Sequence, residues 1–285
     1  MIPASCDYVR ADTVDDAVQA LSSSEEAQVL SGGQSLIPLL RLRLSFPEVL
    51  VDVGRIDEMR GITDASDGLR IGAATTLYEL LNDSQVRQHV PLLVEAASTV
   101  ADPAVRHRGT FGGALAHADP AGDLPACALA LDAVMEIAGP GGRRTVPAAE
   151  FFVDYLETAV GSQDVLVAIQ VPKLGDAWGA SYEKLHRVAQ AWAIVGVAAL
   201  VRRENGSIAE ARIGLTNMGT TPLRARGAEQ ALAGSAASAD AIRTAAGQAA
   251  EGTAPPSDLN GQADYRQHLA RVLTGRAVTR AAGIP

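Results

Sequence analysis

The sequence predicts a mixed helix-and-sheet protein in two parts, and three observations predict it. Short apolar strand signals alternate with helical periodicity up to about residue 175. Asn205-Gly206 then sits between two apolar runs, Ala193 to Arg203 and Ser207 to Leu215, as a two-residue hairpin signal. From Arg226 onward the chain is alanine-rich and helical, broken by the loop Gly252 to Ser257. The chain of 285 residues is long enough for two ordinary domains. We place the boundary near Leu174 to Trp178 and find no internal repeat.

The elements follow in order. Thr13 to Leu21 is a helix, with Val14, Ala17, Val18 and Leu21 on one face and Thr13 and Asp16 spaced as a capping box. Gln28-Val29-Leu30 reads as a short buried strand. The glycine segment Ser31-Gly32-Gly33-Gln34-Ser35 follows, and then Leu36-Ile37-Pro38-Leu39-Leu40, where Pro38 suits a first helical turn. Val49 to Val53 and Leu69 to Ala73 are strands; Leu77 to Leu81 and Pro91 to Val100 are helical. A polar, glycine-containing stretch spans Asp102 to Asp123. The helix Leu124 to Leu131 leads into a strand from Ala133 to Ala138, a turn at Gly139-Pro140-Gly141-Gly142, and a strand from Val165 to Val171 that Pro172 ends.

Composition excludes several classes. A net charge of −9 repels phosphate backbones, so nucleic acid is not an expected partner. The longest apolar run, Ala193 to Val201, is too short to span a bilayer, and charged residues near the start stand where a signal peptide needs an apolar stretch. The expected location is the cytoplasm, with no integral membrane segment. Two cysteines, Cys6 and Cys127, are too few for an iron–sulfur cluster and lack zinc spacing. They read as reduced thiols, with Cys127 buried.

Two glycine loops carry the chemistry. In Ser31 to Ser35, paired glycines between a strand and a helix permit positive φ and leave successive N–H groups free to form an anion nest at a helix N-terminus. Gly109-Thr110-Phe111-Gly112-Gly113-Ala114 offers a second glycine pair and a hydroxyl. Each alone is also compatible with a plain turn. Together they suit a dinucleotide's diphosphate gripped from both sides. Neither loop is a P-loop, which needs a lysine, nor a Gly-x-Gly-x-x-Gly fingerprint. His117, Asp119 and Asp123 could do acid–base work, but Asp119 also suits capping of a helix beginning at Pro120, and His117 a structural hydrogen bond. Arg106 and Arg108 could face phosphate or pair with acids. Trp192 could stack on a flavin or pack at a domain interface.

These segments resemble the FAD-binding medium subunit of molybdenum hydroxylases, the carbon monoxide dehydrogenase medium-subunit family. They are Ser31 to Leu42, Leu50 to Val53, Asp102 to Pro125, Tyr182 to Arg187 and Trp192 to Ala199. The resemblance runs nearly end to end. It implies an α+β fold: a two-lobed FAD-binding domain of the vanillyl-alcohol oxidase type over residues 1–175, with lobes of about 1–55 and 56–175, and a small α+β C-terminal domain over 176–285.

It further implies FAD extended between the lobes. Ser31, Gly32, Gly33, Gln34 and Ser35 match the first diphosphate loop, with Leu36 against the cofactor. Thr110, Phe111, Gly112, Gly113 and Ala114 match the second. Asp123 matches a polar contact to FAD, Leu166 a position packing on the ring, and Lys184 the segment approaching the isoalloxazine. Ser31 replaces the commoner alanine, and Ala191 stands where many relatives carry aspartate. The implied partners are a large molybdenum–pterin subunit and a small subunit with [2Fe–2S] clusters, in a dimer of heterotrimers. In that scheme electrons pass from the clusters through FAD to an external acceptor, and this chain contributes no catalytic acid or base and binds no metal. The alternatives are a stand-alone flavin oxidase or reductase and a scaffold without flavin.

Overall fold

The computed structural model describes residues 2–66 and 68–284. The chain opens with β1 (Asp7–Arg10), α1 (Val14–Leu21), β2 (Ala27–Leu30), α2 (Leu36–Leu42) and β3 (Val49–Asp52). These strands form a parallel sheet in the order β1-β3-β2. The chain crosses over β3 through α1 and returns through α2. Right-handed crossovers in opposite directions put the two helices on opposite faces. Packing agrees: α1 and Val51 belong to the main core, while Leu40 of α2 and Leu50 are buried apart from it. Thr13 makes the expected capping box, its hydroxyl accepting from Asp16 N while the Asp16 carboxylate accepts from Thr13 N.

A second body follows. It contains β4 (Ile62–Ala65), β5 (Gly68–Gly72), α3 (Leu77–Asn82), α4 (Ser84–His89), α5 (Pro91–Ser98), α6 (Pro103–Arg106), α7 (Phe111–His117) and α8 (Asp123–Ala130). It continues through β6 (Val134–Gly139), β7 (Gly142–Pro147), α9 (Ala148–Phe151), the small hairpin β8 (Phe152–Asp154) and β9 (Glu157–Thr158), and β10 (Val165–Pro172). Its five-stranded sheet runs β4-β5-β10-β6-β7, antiparallel at each pairing. β10 lies in the middle, which explains its unbroken apolar run.

The last part is the antiparallel sheet β11 (Trp178–Leu185), β12 (Val195–Glu204), β13 (Ser207–Thr216) and β14 (Leu223–Arg224), with α10 (Arg226–Leu232), α11 (Ala239–Ala246) and α12 (Ala263–Ala281). Asn205 and Gly206 both take positive φ, 50° and 79°, as the hairpin turn demands. β12 is buried on both faces. Ala198 and Leu200 join the main core, while Val195, Val197, Ala199 and Val201 join a second core beneath the C-terminal helices. A strand covered on both sides reads as a continuous apolar run, and Val195 to Val201 is one.

Three expectations need correction, and one strand was not expected. β2 is not buried: it is an edge strand, and Gln28 and Val29 are exposed. The strand expected from Ala193 begins at Val195. β11 carries no strand signal, because Gly179, Ala180, Ser181 and the charged Glu183 and Lys184 break the apolar alternation; pairing with β12 makes it a strand. No helix starts at Pro120. Asp119 does accept from Ala121 N at 2.8 Å, but this closes a turn, and α8 starts at Asp123 with Gly122 as its N-cap.

Candidate functional site

The first loop leaves β2 and enters α2. Gly33 has φ +74°, a conformation that L side chains rarely adopt. At Gly32 a Cβ would lie 2.2 Å from the carbonyl oxygen of Arg108, so the first loop rests directly on the backbone leading into the second. Ser31 Oγ and Thr110 Oγ1 are 3.2 Å apart and join the loops by a hydrogen bond. Among the described residues no protein acceptor takes the backbone N–H groups of Gly32, Gly33, Gln34 or Ser35. Gln34 is exposed and donates weakly to Gly32 O at 3.4 Å. Ser35 precedes α2 without capping it through its side chain, and Leu36, the first helical residue, is half-buried. The loop is therefore a row of unspent donors.

The second loop differs. Its N–H groups are largely spent inside the fold: Phe111 N donates to Thr75 O, Gly112 N to Ala73 O and Gly113 N to Thr110 Oγ1. Phe111 is fully buried in the main core. Gly112 abuts Ala73, where a Cβ would come within 2.3 Å of the alanine Cβ. What this loop can turn outward is the half-buried surface of Gly113 and Ala114 beside the Thr110 hydroxyl. Leu166, on β10, is linked to the same framework: the next residue's carbonyl, Val167 O, takes Ala73 N. Leu166 itself is buried beside a register shift in its strand.

Asp123 and Lys184 form a separate pair. Lys184 Nζ lies 2.8 Å from Asp123 Oδ2, with both side chains at most 4% exposed. The Tyr182 hydroxyl donates to Asp123 Oδ1 at 2.6 Å, and Lys184 also donates to Thr99 O at 3.2 Å. Burial pushes the Asp123 carboxyl up from its ordinary range, opposed by the charge and hydrogen bond of Lys184. The pattern Tyr-x-Lys placed both side chains on one face of a strand, but nothing in the sequence marked Tyr182 as a partner of Asp123.

Other residues fall elsewhere. Arg106 turns inward and donates to Val100 O at 2.8 Å and Ala101 O at 3.3 Å, steadying a turn in which Ala101 has φ +44°. Among the described residues it pairs with no acid. Arg108 has no carboxylate within salt-bridge distance among the described residues, and His117 makes no hydrogen bond through its side chain there. Trp192 is 57% exposed, so it is not packed between domains of this chain. It lines a cleft of about 510 Å3 with Asp119, Ala121, Arg187, Ala191 and Asn217. No helix is long and apolar enough to cross a membrane, and no group of metal-ligating side chains is assembled, among the described residues.

Residues 4–174 match the family described as the FAD binding domain in molybdopterin dehydrogenase, and residues 180–281 match the CO dehydrogenase flavoprotein C-terminal domain. The chain is 40% identical to the carbon monoxide dehydrogenase medium chain of Hydrogenophaga pseudoflava, covering 99% of this chain and 98% of that one. It is 36% identical to the alpha subunit of the 6-hydroxypseudooxynicotine dehydrogenase complex of Paenarthrobacter nicotinovorans, over 99% and 96% of the two chains. A solved carbon monoxide dehydrogenase from Hydrogenophaga pseudoflava superimposes with a TM-score of 0.97 at 41% identity, over 99% of each chain. A loop of free donors pressed against a second glycine loop, two matching domains and full-length relatives all agree: the chain belongs to the FAD-binding medium subunits of the molybdenum hydroxylases, an oxidoreductase family.

Proposed function

We propose that this chain is the flavin-carrying electron-transfer subunit of a molybdenum hydroxylase complex. Electrons enter from [2Fe–2S] clusters of a small partner subunit and leave to an external acceptor, while a large molybdenum–pterin subunit oxidises the substrate. The complex is a dimer of heterotrimers in the cytoplasm. One observation carries the reading: the N–H groups of Gly32 to Ser35 are unspent, in a loop seated on the carbonyl of Arg108. Such a row fits a diphosphate, because it offers several donors with no side chain in the way.

FAD, when bound, supplies the redox chemistry. The chain's own residues bind and orient. Gly32, Gly33, Gln34 and Ser35 give backbone donors to the diphosphate, and Leu36 gives an apolar edge. Thr110, Gly113 and Ala114 close the other side, with Phe111 and Gly112 anchoring that loop in the core. Asp123 makes the polar contact, Lys184 holds it and brings positive charge, and Leu166 backs the ring. The working division places the flavin domain at 1–175, with lobes meeting near residue 55, and the C-terminal domain at 176–285.

The surface supports a multi-subunit assembly. α2 is almost wholly apolar yet buries only Leu40, and Leu42, Leu44 and Phe46 beyond it are each at least 58% exposed. Exposed apolar side chains gathered on one segment fit an interface. The test is subunit, metal and flavin analysis of the complex purified from its native source. One FAD per copy of this chain, with molybdenum and iron in two co-purifying chains, is expected. A chain that purifies alone and turns over alone contradicts the reading.

A further inference from the structure

The Asp123 carboxylate is enclosed, and among the described residues neither of its oxygens is bonded to a side chain of its own domain. Both donors come from one strand of the C-terminal part: Tyr182 Oη to Oδ1 at 2.6 Å and Lys184 Nζ to Oδ2 at 2.8 Å. Residues two apart on a strand share a face, so β11 presents both at once. The strand is itself fixed, since Tyr182 N donates to Glu95 Oε2 at 2.8 Å. Space is made for the phenol on β12. At Gly196 a Cβ would come within 2.4 Å of the Tyr182 hydroxyl oxygen.

The two donors do different work. Lys184 supplies the positive charge bonded to Asp123. The tyrosine hydroxyl adds no net charge; it contributes a dipole and a direction. A carboxylate held at one oxygen can still swing about its terminal torsion, which is broad and soft. Held at both oxygens it has one orientation, and each oxygen keeps a lone pair for a further donor.

We propose that Tyr182 is a positioning residue for the flavin: acting through Asp123, it fixes the direction of the carboxylate's remaining lone pairs toward the bound cofactor. This rests on the reading of Asp123 as a flavin contact. It also makes flavin affinity in the first domain depend on a side chain of the second.

The test uses the intact complex, stripped of flavin and titrated with FAD, as wild type and as Tyr182→Phe, Gly196→Ala, Asp123→Asn and Glu229→Gln. Tyr182→Phe removes the hydroxyl alone. Gly196→Ala crowds the hydroxyl from behind and serves if Tyr182→Phe fails to fold. Glu229→Gln perturbs a buried hydrogen-bond centre of the same domain away from Asp123 and reports a purely structural effect. Tyr182→Phe is expected to weaken FAD binding roughly tenfold, as loss of one hydrogen bond to a charged group does. It also makes the flavin midpoint potential more negative, because the hydroxyl dipole no longer offsets the carboxylate charge. Gly196→Ala moves both in the same direction, while Glu229→Gln lowers Tm and moves neither. Wild-type affinity and potential in folded Tyr182→Phe, with Asp123→Asn impaired, overturn the positioning role and leave the Asp123 contact standing. Wild-type binding by Asp123→Asn overturns both.

Discussion

Thr110 does two jobs with its hydroxyl and a third with its backbone. It caps α7 by accepting from Gly113 N at 3.2 Å, and it meets Ser31 Oγ across the gap between the loops. Its backbone carbonyl starts the helix by taking Ala114 N. Thr110→Ala should cost about 1 kcal/mol of stability through the lost cap and also loosen the loops. Chemical denaturation and FAD titration measure the two effects separately; a stability loss with unchanged flavin affinity would confine Thr110 to capping. Cys127 makes a different residue-scale case. It is fully buried, and burial, with help from the Asp123 and Glu95 charges, pushes its thiol well above the ordinary range. Native alkylation should therefore label Cys6 and spare Cys127 until the chain unfolds. The sign for stability follows from linkage. The unfolded thiol ionises above about pH 8.5 while the buried one keeps its proton, so stability is intact below that pH and falls as pH rises through it. Cys127→Ala should flatten that alkaline fall in Tm.

At the scale of elements, apolar periodicity and turn chemistry made much of the fold legible. Thr13 with Asp16, Pro91 at a helix start and Asn205-Gly206 each combine a local residue preference with a backbone requirement, and each element formed where the residues put it. Edges were not legible. β1 exposes all four residues, and β7 is nearly as exposed, so neither shows a hydrophobic alternation. β11 is a strand because β12 pairs with it, a long-range cause that no local window contains. The site divides the same way. The free donors of the first glycine loop were legible because they depend on local backbone shape. The second could not be read as spent, because Thr75 and Ala73, which take the N–H groups of Phe111 and Gly112, lie far back in the chain. α2 and the loop after it carry their own prediction. Leu44→Asp with Phe46→Asp changes only exposed side chains, so Tm should move by no more than about 1 kcal/mol equivalent. Co-purification of the partner subunits should fall sharply; an intact complex would place the interface elsewhere.

Taken whole, the molecule is not two independent halves. Tyr182, Ala198 and Leu200 belong to the core of the flavin-binding part, and Gly214 of β13 sits so close to α8 that a Cβ would come within 2.2 Å of Ala126 O. Removing the C-terminal part would expose this apolar face and strip Asp123 of both its side-chain donors. A chain ending at residue 175 should therefore aggregate or lose cooperative unfolding, as near-ultraviolet circular dichroism and calorimetry would show. A sharp transition in that fragment would mean that the second part only decorates the first.

The central claim is that the two glycine loops hold one flavin between them, and FAD content per chain tests it most directly. Gly33→Val puts a β-branched residue at φ +74°, and Gly113→Val sets a side chain where a Cβ already lies 2.6 Å from the Thr110 hydroxyl. The account predicts one FAD per wild-type chain and its loss in both variants, with far-ultraviolet circular dichroism preserved. Stoichiometric FAD in both variants would contradict it.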